Sequence, residues 1–184
     1  LHDELGQEVP KLRGLWLVPG GVVHNGLGTA DLVEERGAAD FKSEVGRFPR
    51  LFSGVETVTG LTRPSIVFDS ELTLRFGKRE IRILHLGRGH TKGDTVVWLP
   101  KEKLLYAGDL VEKEVAVYCG DAYLKDWPAT LDRVEALGAR ILVPGRGAAL
   151  IGSTAVNAAI GSTRSFVQDI YRQVSNKTRR KASL

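Results

Sequence analysis

The stretch GRGHTKGDTVVWLPKEKLLYAGD, Gly87 to Asp109, constrains the fold more than any other part of this chain. It sets one histidine in a glycine-rich turn, follows it with two apolar runs, and ends on an aspartate in a second glycine turn. TVVWL and KLLYA have the composition of buried strands, and PKEK between them suits a four-residue hairpin loop. If the two runs pair, His90 enters the hairpin and Asp109 leaves it at the same edge of a sheet. Glycine lets the backbone turn sharply enough at that edge to aim both side chains at one point.

The rest of the pattern extends this sheet and covers it with helices. GLWLV, residues 14–18, reads as a short strand stopped by Pro19-Gly20-Gly21. TADLVEERG reads as a short helix from Thr29 to Gly37, and Ala38–Thr62, broken by Pro49, as a long loop with room for a helical turn. SIVFD, ELTLRF and REIRILHL read as strands, the last two joined at Gly77-Lys78. Asp126 is a candidate N-cap, with Pro128 in the first turn, Gly138 as a stop, and Leu131, Val134 and Leu137 on one face. RILVPG is a further strand. Ser153 opens a long helix with Val156, Ile160, Val167, Ile170 and Val174 at helical spacing. Strands covered by helices, with no internal repeat, make an α/β layered domain.

Composition sets the outer limits. One cysteine in 184 residues excludes an internal disulfide framework. No apolar run approaches the roughly 20 residues that span a bilayer, and no leader is visible, so a cytoplasmic protein off the membrane is the expectation. The net charge of +4 equals the four cations of the last nine residues, Lys177, Arg179, Arg180 and Lys181. Residues 176–184 are expected to be a disordered basic tail, and residues 1–175 a single domain with an uncharged body. Such a body is a poor platform for nucleic acid. The chain starts at Leu1 and contains no methionine, so further residues are expected upstream.

Histidine is a common metal ligand and aspartate a hard oxygen ligand. A metal needs ligands fixed in direction, and turns at the ends of buried strands supply that. His90 and Asp109 therefore read as two ligands converging at one end of a layered sheet.

These residues also carry a resemblance. GRGHTKGDTVVWLP, LLYAGDLV, the helix DWPATLDRVEALGA and the turn RILVPGRG together resemble the metallo-β-lactamase superfamily, which includes glyoxalase II-like hydrolases. The resemblance runs from about Ile66 to Val174. It implies a four-layer αββα sandwich with a zinc site at one edge. His90 would ligate the first metal, and Asp109 would bridge two metals or bind a second. Two departures stand out. The family's H-x-H-x-D-H motif is not intact. If LHDELG is its remnant, His2 matches the second histidine and Glu4 the aspartate; otherwise His2 is an ordinary terminal residue. Arg146 stands where the family's P-G-H-G turn has histidine, and a guanidinium cannot ligate a metal. It would disfavour a second ion and attract a carboxylate or phosphate, or else simply pair with an acid such as Asp121.

The resemblance implies about one zinc per chain and a hydrolase that uses a metal-activated hydroxide on an ester, thioester or amide bond of a small anionic substrate. Catalysis would fall to Asp109, metal binding to His90, Asp109 and His2, and substrate binding to Arg146 and Tyr123. The alternative is a degenerate, non-catalytic member kept as a binding or assembly module. Homo-oligomerisation stays open. His85 reads as a satisfied sheet histidine, His24 as a surface turn residue, and Cys119 as a small buried side chain or a soft ligand.

Overall fold

The structure, a computed structural model, describes residues 23–24, 26–48, 50 and 68–182. The expected strands GLWLV and SIVFD lie outside the described residues but for Phe68 and Asp69, which are not in a strand, and His2 lies outside them altogether. The elements in chain order are β1 (Val23–His24), α1 (Gly26–Arg47), β2 (Glu71–Phe76), β3 (Arg79–Leu84), β4 (Asp94–Leu99) and β5 (Leu104–Gly108). They are followed by α2 (Trp127–Ala136), β6 (Ile141–Pro144), β7 (Leu150–Ile151) and α3 (Ser153–Ala182).

Six strands lie in the order β2-β3-β4-β5-β6-β7, and β1 pairs with β4. Every described pairing is antiparallel except β5 with β6, which run parallel because α2 intervenes as the crossover. The expected hairpins are present. Gly77 takes a left-handed φ of 58° at the β2–β3 turn, and Pro100–Lys103 joins β4 to β5.

The period-2 pattern places two different sets of side chains on the two faces of this sheet. Leu84, Val96, Trp98, Leu105, Ala107 and Leu142 form one face and pack with Trp127, Leu131 and Val134 of α2 and Val156, Ile160 and Val167 of α3. The register places Ile83, Val97, Tyr106 and Val143 in a row on the other face. A sheet apolar on both faces belongs inside a layered α/β fold, as expected.

Four expectations need correction. The short helix at Thr29–Gly37 is part of the 22-residue α1, which takes in the first part of the expected loop. The Ala-, Glu- and Lys-containing segment after Gly37 favours helix strongly enough to absorb the roughly 1 kcal/mol cost of an interior glycine. Asp126 makes no side-chain cap bond, because its carboxylate pairs with Arg88 at 2.5 Å. The buried stripe of α3 ends near Val167, and Val174 is exposed where the helix runs past the sheet. Its backbone nevertheless stays helical to Ala182, into the segment expected to be a disordered tail; Lys and Arg are good helix formers and suit the negative end of the helix dipole.

Candidate metal centre

β3 and β5 are each antiparallel to β4, and β6 is parallel to β5, so all three point the same way. Their C-terminal ends share one edge, where ligands of open α/β sheets collect. The loop after β3 carries His90, the loop after β5 carries Asp109 and Glu112, and the turn after β6 carries Arg146.

The first turns of α2 hold two of these loops in place. Trp127 Nε1 donates to the Leu110 carbonyl oxygen at 3.2 Å, Thr130 Oγ1 to that of Arg88 at 2.7 Å, and Arg133 Nη1 to that of Leu86 at 2.6 Å. Asp94 closes the histidine turn from inside, its carboxylate accepting from Thr91 N at 3.0 Å and Thr91 Oγ1 at 2.6 Å. Gly89 permits this closeness: a Cβ there would collide with Leu110 and stand 3.0 Å from the Trp127 ring. The second and third loops are laced together by Gly145 N to Val111 O and Lys113 N to Arg146 O, both 3.1 Å. Thr163 on α3 fixes the backbone of Glu112, accepting from its N–H and donating to its carbonyl oxygen.

Held in this way, His90 and Asp109 meet. His90 Nδ1 lies 3.8 Å from Asp109 Oδ2, and both side chains are mostly buried. That distance is too long for a hydrogen bond. Both ring nitrogens of His90 are buried and have no hydrogen-bond partner among the described residues. The ring is flanked by Tyr118 and Trp127, each with its centroid 6.0 Å away.

A third group, Glu112, was not identified from sequence. Its side chain is 1% exposed, and Oε1 accepts from Arg146 Nη1 at 2.6 Å. The same nitrogen lies 3.8 Å from Asp109 Oδ1. Burial pushes the Glu112 carboxyl up to about 7, against the pull of Arg146 and with the help of Asp109. The available signal was an acid between the apolar pair Leu110-Val111 and Lys113, three residues after the glycine turn. The pairing expected with Asp121 is instead made with Glu112 and Asp109.

A buried imidazole with two unused nitrogens facing a carboxylate suits a metal. Two ligands each about 2.0–2.2 Å from one zinc ion lie some 3–4 Å apart. Among the described residues no third histidine, cysteine or acid completes a metal-holding group with them. They fit as part of a donor set. Cys119 is a poor candidate for the remainder: its thiol points to the Val117 carbonyl oxygen at 3.5 Å, and burial pushes its pKa up.

The remaining residues singled out from sequence are placed as follows. His85 is satisfied, with Nδ1 2.7 Å from the Asp94 carbonyl oxygen. His24 lies in β1, its backbone paired with Asp94, and not in a turn. Tyr123 ties its own N–H to the Gly89 carbonyl oxygen at 2.8 Å, and its ring lies 4.5 Å from the Arg88 guanidinium.

The family model described as metallo-beta-lactamase superfamily matches residues 11–146. A metallo-beta-lactamase type 2 from Bacteroides fragilis is 38% identical over 93 residues, covering 48% of this chain and 37% of that protein. One from Elizabethkingia meningoseptica is 31% identical over 77 residues, covering 40% and 30%. Among solved structures, a metallo-beta-lactamase from Pontibacter korlensis aligns with a TM-score of 0.51 at 26% identity, covering 69% of this chain and 62% of that one. The chain thus spans about a third of the length of these curated relatives.

Proposed function

This chain belongs to the metallo-beta-lactamase superfamily, and from that premise and its site we propose that it is a zinc-dependent hydrolase of an ester, thioester or amide bond. The observation that carries the reading is His90, whose two buried nitrogens lack hydrogen-bond partners among the described residues beside the Asp109 carboxylate. Metal binding would fall to His90 and Asp109, with His2 as a further ligand and about one zinc per chain. The glyoxalase II-like subtype, a small anionic substrate and a site reduced by Arg146 belong to the same reading.

Bound zinc supplies Lewis acidity: it polarises a carbonyl and brings the pKa of water to about 7. Asp109, whose Oδ2 faces His90, would either hold the metal or orient the water and take its proton. Arg146 is half exposed and engages its acids through Nη1, leaving the rest of its donor fork for a carboxylate or phosphate. Tyr118, exposed beside His90, forms one wall of the rim, and Tyr123 contributes through the Arg88 that lies over its ring.

The test is elemental analysis of the full chain, with turnover measured on a panel of esters, thioesters and amides. About one zinc per chain is expected, and His90→Ala should lose most of it. Asp109→Asn should cut turnover by roughly 10²-fold or more while leaving thermal unfolding nearly unchanged. Undiminished zinc in His90→Ala overturns the ligand assignment. A metal-loaded protein that turns over nothing in the panel is a binding module instead.

A further inference from the structure

Arg146 creates a problem that the rest of the site must solve. A guanidinium beside Asp109 is the natural partner of that carboxylate and would neutralise the group on which the proposed metal depends. The structure leaves the two as an ion pair without a hydrogen bond. The shared nitrogen, Arg146 Nη1, is 2.6 Å from Glu112 Oε1 and 3.8 Å from Asp109 Oδ1. Glu112 holds its end firmly: its side chain is buried, its backbone is pinned on both sides by Thr163 of α3, and the next residue's N–H binds the Arg146 carbonyl oxygen. A charge-assisted bond at 2.6 Å outweighs an ion pair at 3.8 Å, in which no hydrogen bond forms.

From this arrangement we infer that Glu112 is a positioning residue: it holds Arg146 out of hydrogen-bond reach of Asp109, so that the Asp109 carboxylate stays available to His90 and the ion. The inference rests on the metal-centre reading for its consequence, but not for its geometry. Without Glu112, Asp109 is the acid that the guanidinium reaches among the described residues, and Arg146 should close onto it. Loss of Glu112 then weakens the metal site through Arg146, although Glu112 is not itself among the proposed ligands.

Two measurements separate this role from mere structural support. The first is the crystal structure of metal-free Glu112→Gln, which needs no bound ion. Arg146 is expected within hydrogen-bond distance of Asp109; a guanidinium still held away from Asp109 overturns the tether. The second is zinc affinity, measured by competition with a chromophoric chelator, in a double-mutant cycle with Arg146→Leu. Glu112→Gln alone is expected to weaken zinc binding by at least about tenfold, and in the Arg146→Leu background to change it less than about threefold. An equal loss in both backgrounds means that Glu112 acts through the fold, and no loss in either removes its role. If the full-length protein itself binds no zinc, the metal-centre reading fails, and the metal-free structures alone decide the tether. Glu112→Asp keeps the charge on a shorter arm and takes the place of Glu112→Gln if that variant does not fold.

Discussion

Gly145 lies so close to Asp109 that a Cβ built on it would stand 2.5 Å from the Oδ1 atom. The same Cβ would meet the carbonyl carbon and oxygen of Gly108 at 2.8 Å, and backbone atoms cannot swing aside. The ends of β5 and β6 touch here without a side chain between them. Gly145→Ala should therefore do two things at once. It should cost about 1–3 kcal/mol by overpacking, read from chemical denaturation. It should also push Asp109 off its line to His90 and weaken zinc binding. An alanine variant with unchanged stability and affinity would show that the strand ends can spread.

Arg146→His introduces the residue type that the resemblance to the superfamily's P-G-H-G turn implies at this position. If the guanidinium excludes a second ion, metal content should rise from about one toward two per chain, measured by elemental analysis. If it also anchors an anionic substrate, KM should rise far more than kcat falls, since the lost contact is made equally in ground and transition states. Glu112 loses its charged partner, which should lower stability by about 1–3 kcal/mol. Unchanged metal content and unchanged KM would leave Arg146 a purely structural residue.

Glu71 and Arg82 provide a pH-dependent test of the sheet edge. Arg82 of β3 grips the Glu71 carboxylate of β2 with two bonds, at 2.8 and 2.7 Å, and Thr73 adds a third at 2.8 Å. The Arg82 bond, then that of Thr73, lowers the Glu71 pKa from 4.5 to about 2. A lowered folded-state pKa contributes stability that is present above pH 4.5 and lost as the pH falls through about 2. The pair is over a third exposed on the acid side, so screening holds the gain to about 1 kcal/mol or less. Denaturation curves from pH 6 down to about 2 should show this loss in the parent chain and not in Glu71→Gln. Parallel curves would mean that the pair contributes nothing in solution.

Much of this arrangement was legible because it rests on local rules. Alternation marked β3, apolar runs marked β4 and β5, Gly77-Lys78 and Pro100–Lys103 marked the turns, and the His90 and Asp109 turns followed from where those strands end. Gly138 marked the end of α2 with a φ of 65°. What stayed hidden depends on partners distant in sequence. Asp126 has the composition of a cap, but Arg88, brought beside it by the fold, takes its carboxylate. Glu112 looks like an ordinary surface acid until Thr163, 51 residues away, pins it inside. The length of α1 was hidden for another reason: a lone Gly37 reads as a stop although its neighbours favour helix.

The two residues that follow Asp109 are Leu110 and Val111, 1% and 0% exposed and part of the same core as Trp127 and Leu142. The acid therefore has no private motion, because its turn can open only if the centre of the domain opens with it. Arg146, half in solvent beyond the end of β6, is under no such obligation. A change that displaces Asp109 is therefore expected to disturb the core as well, whereas the guanidinium of Arg146 can shift within solvent.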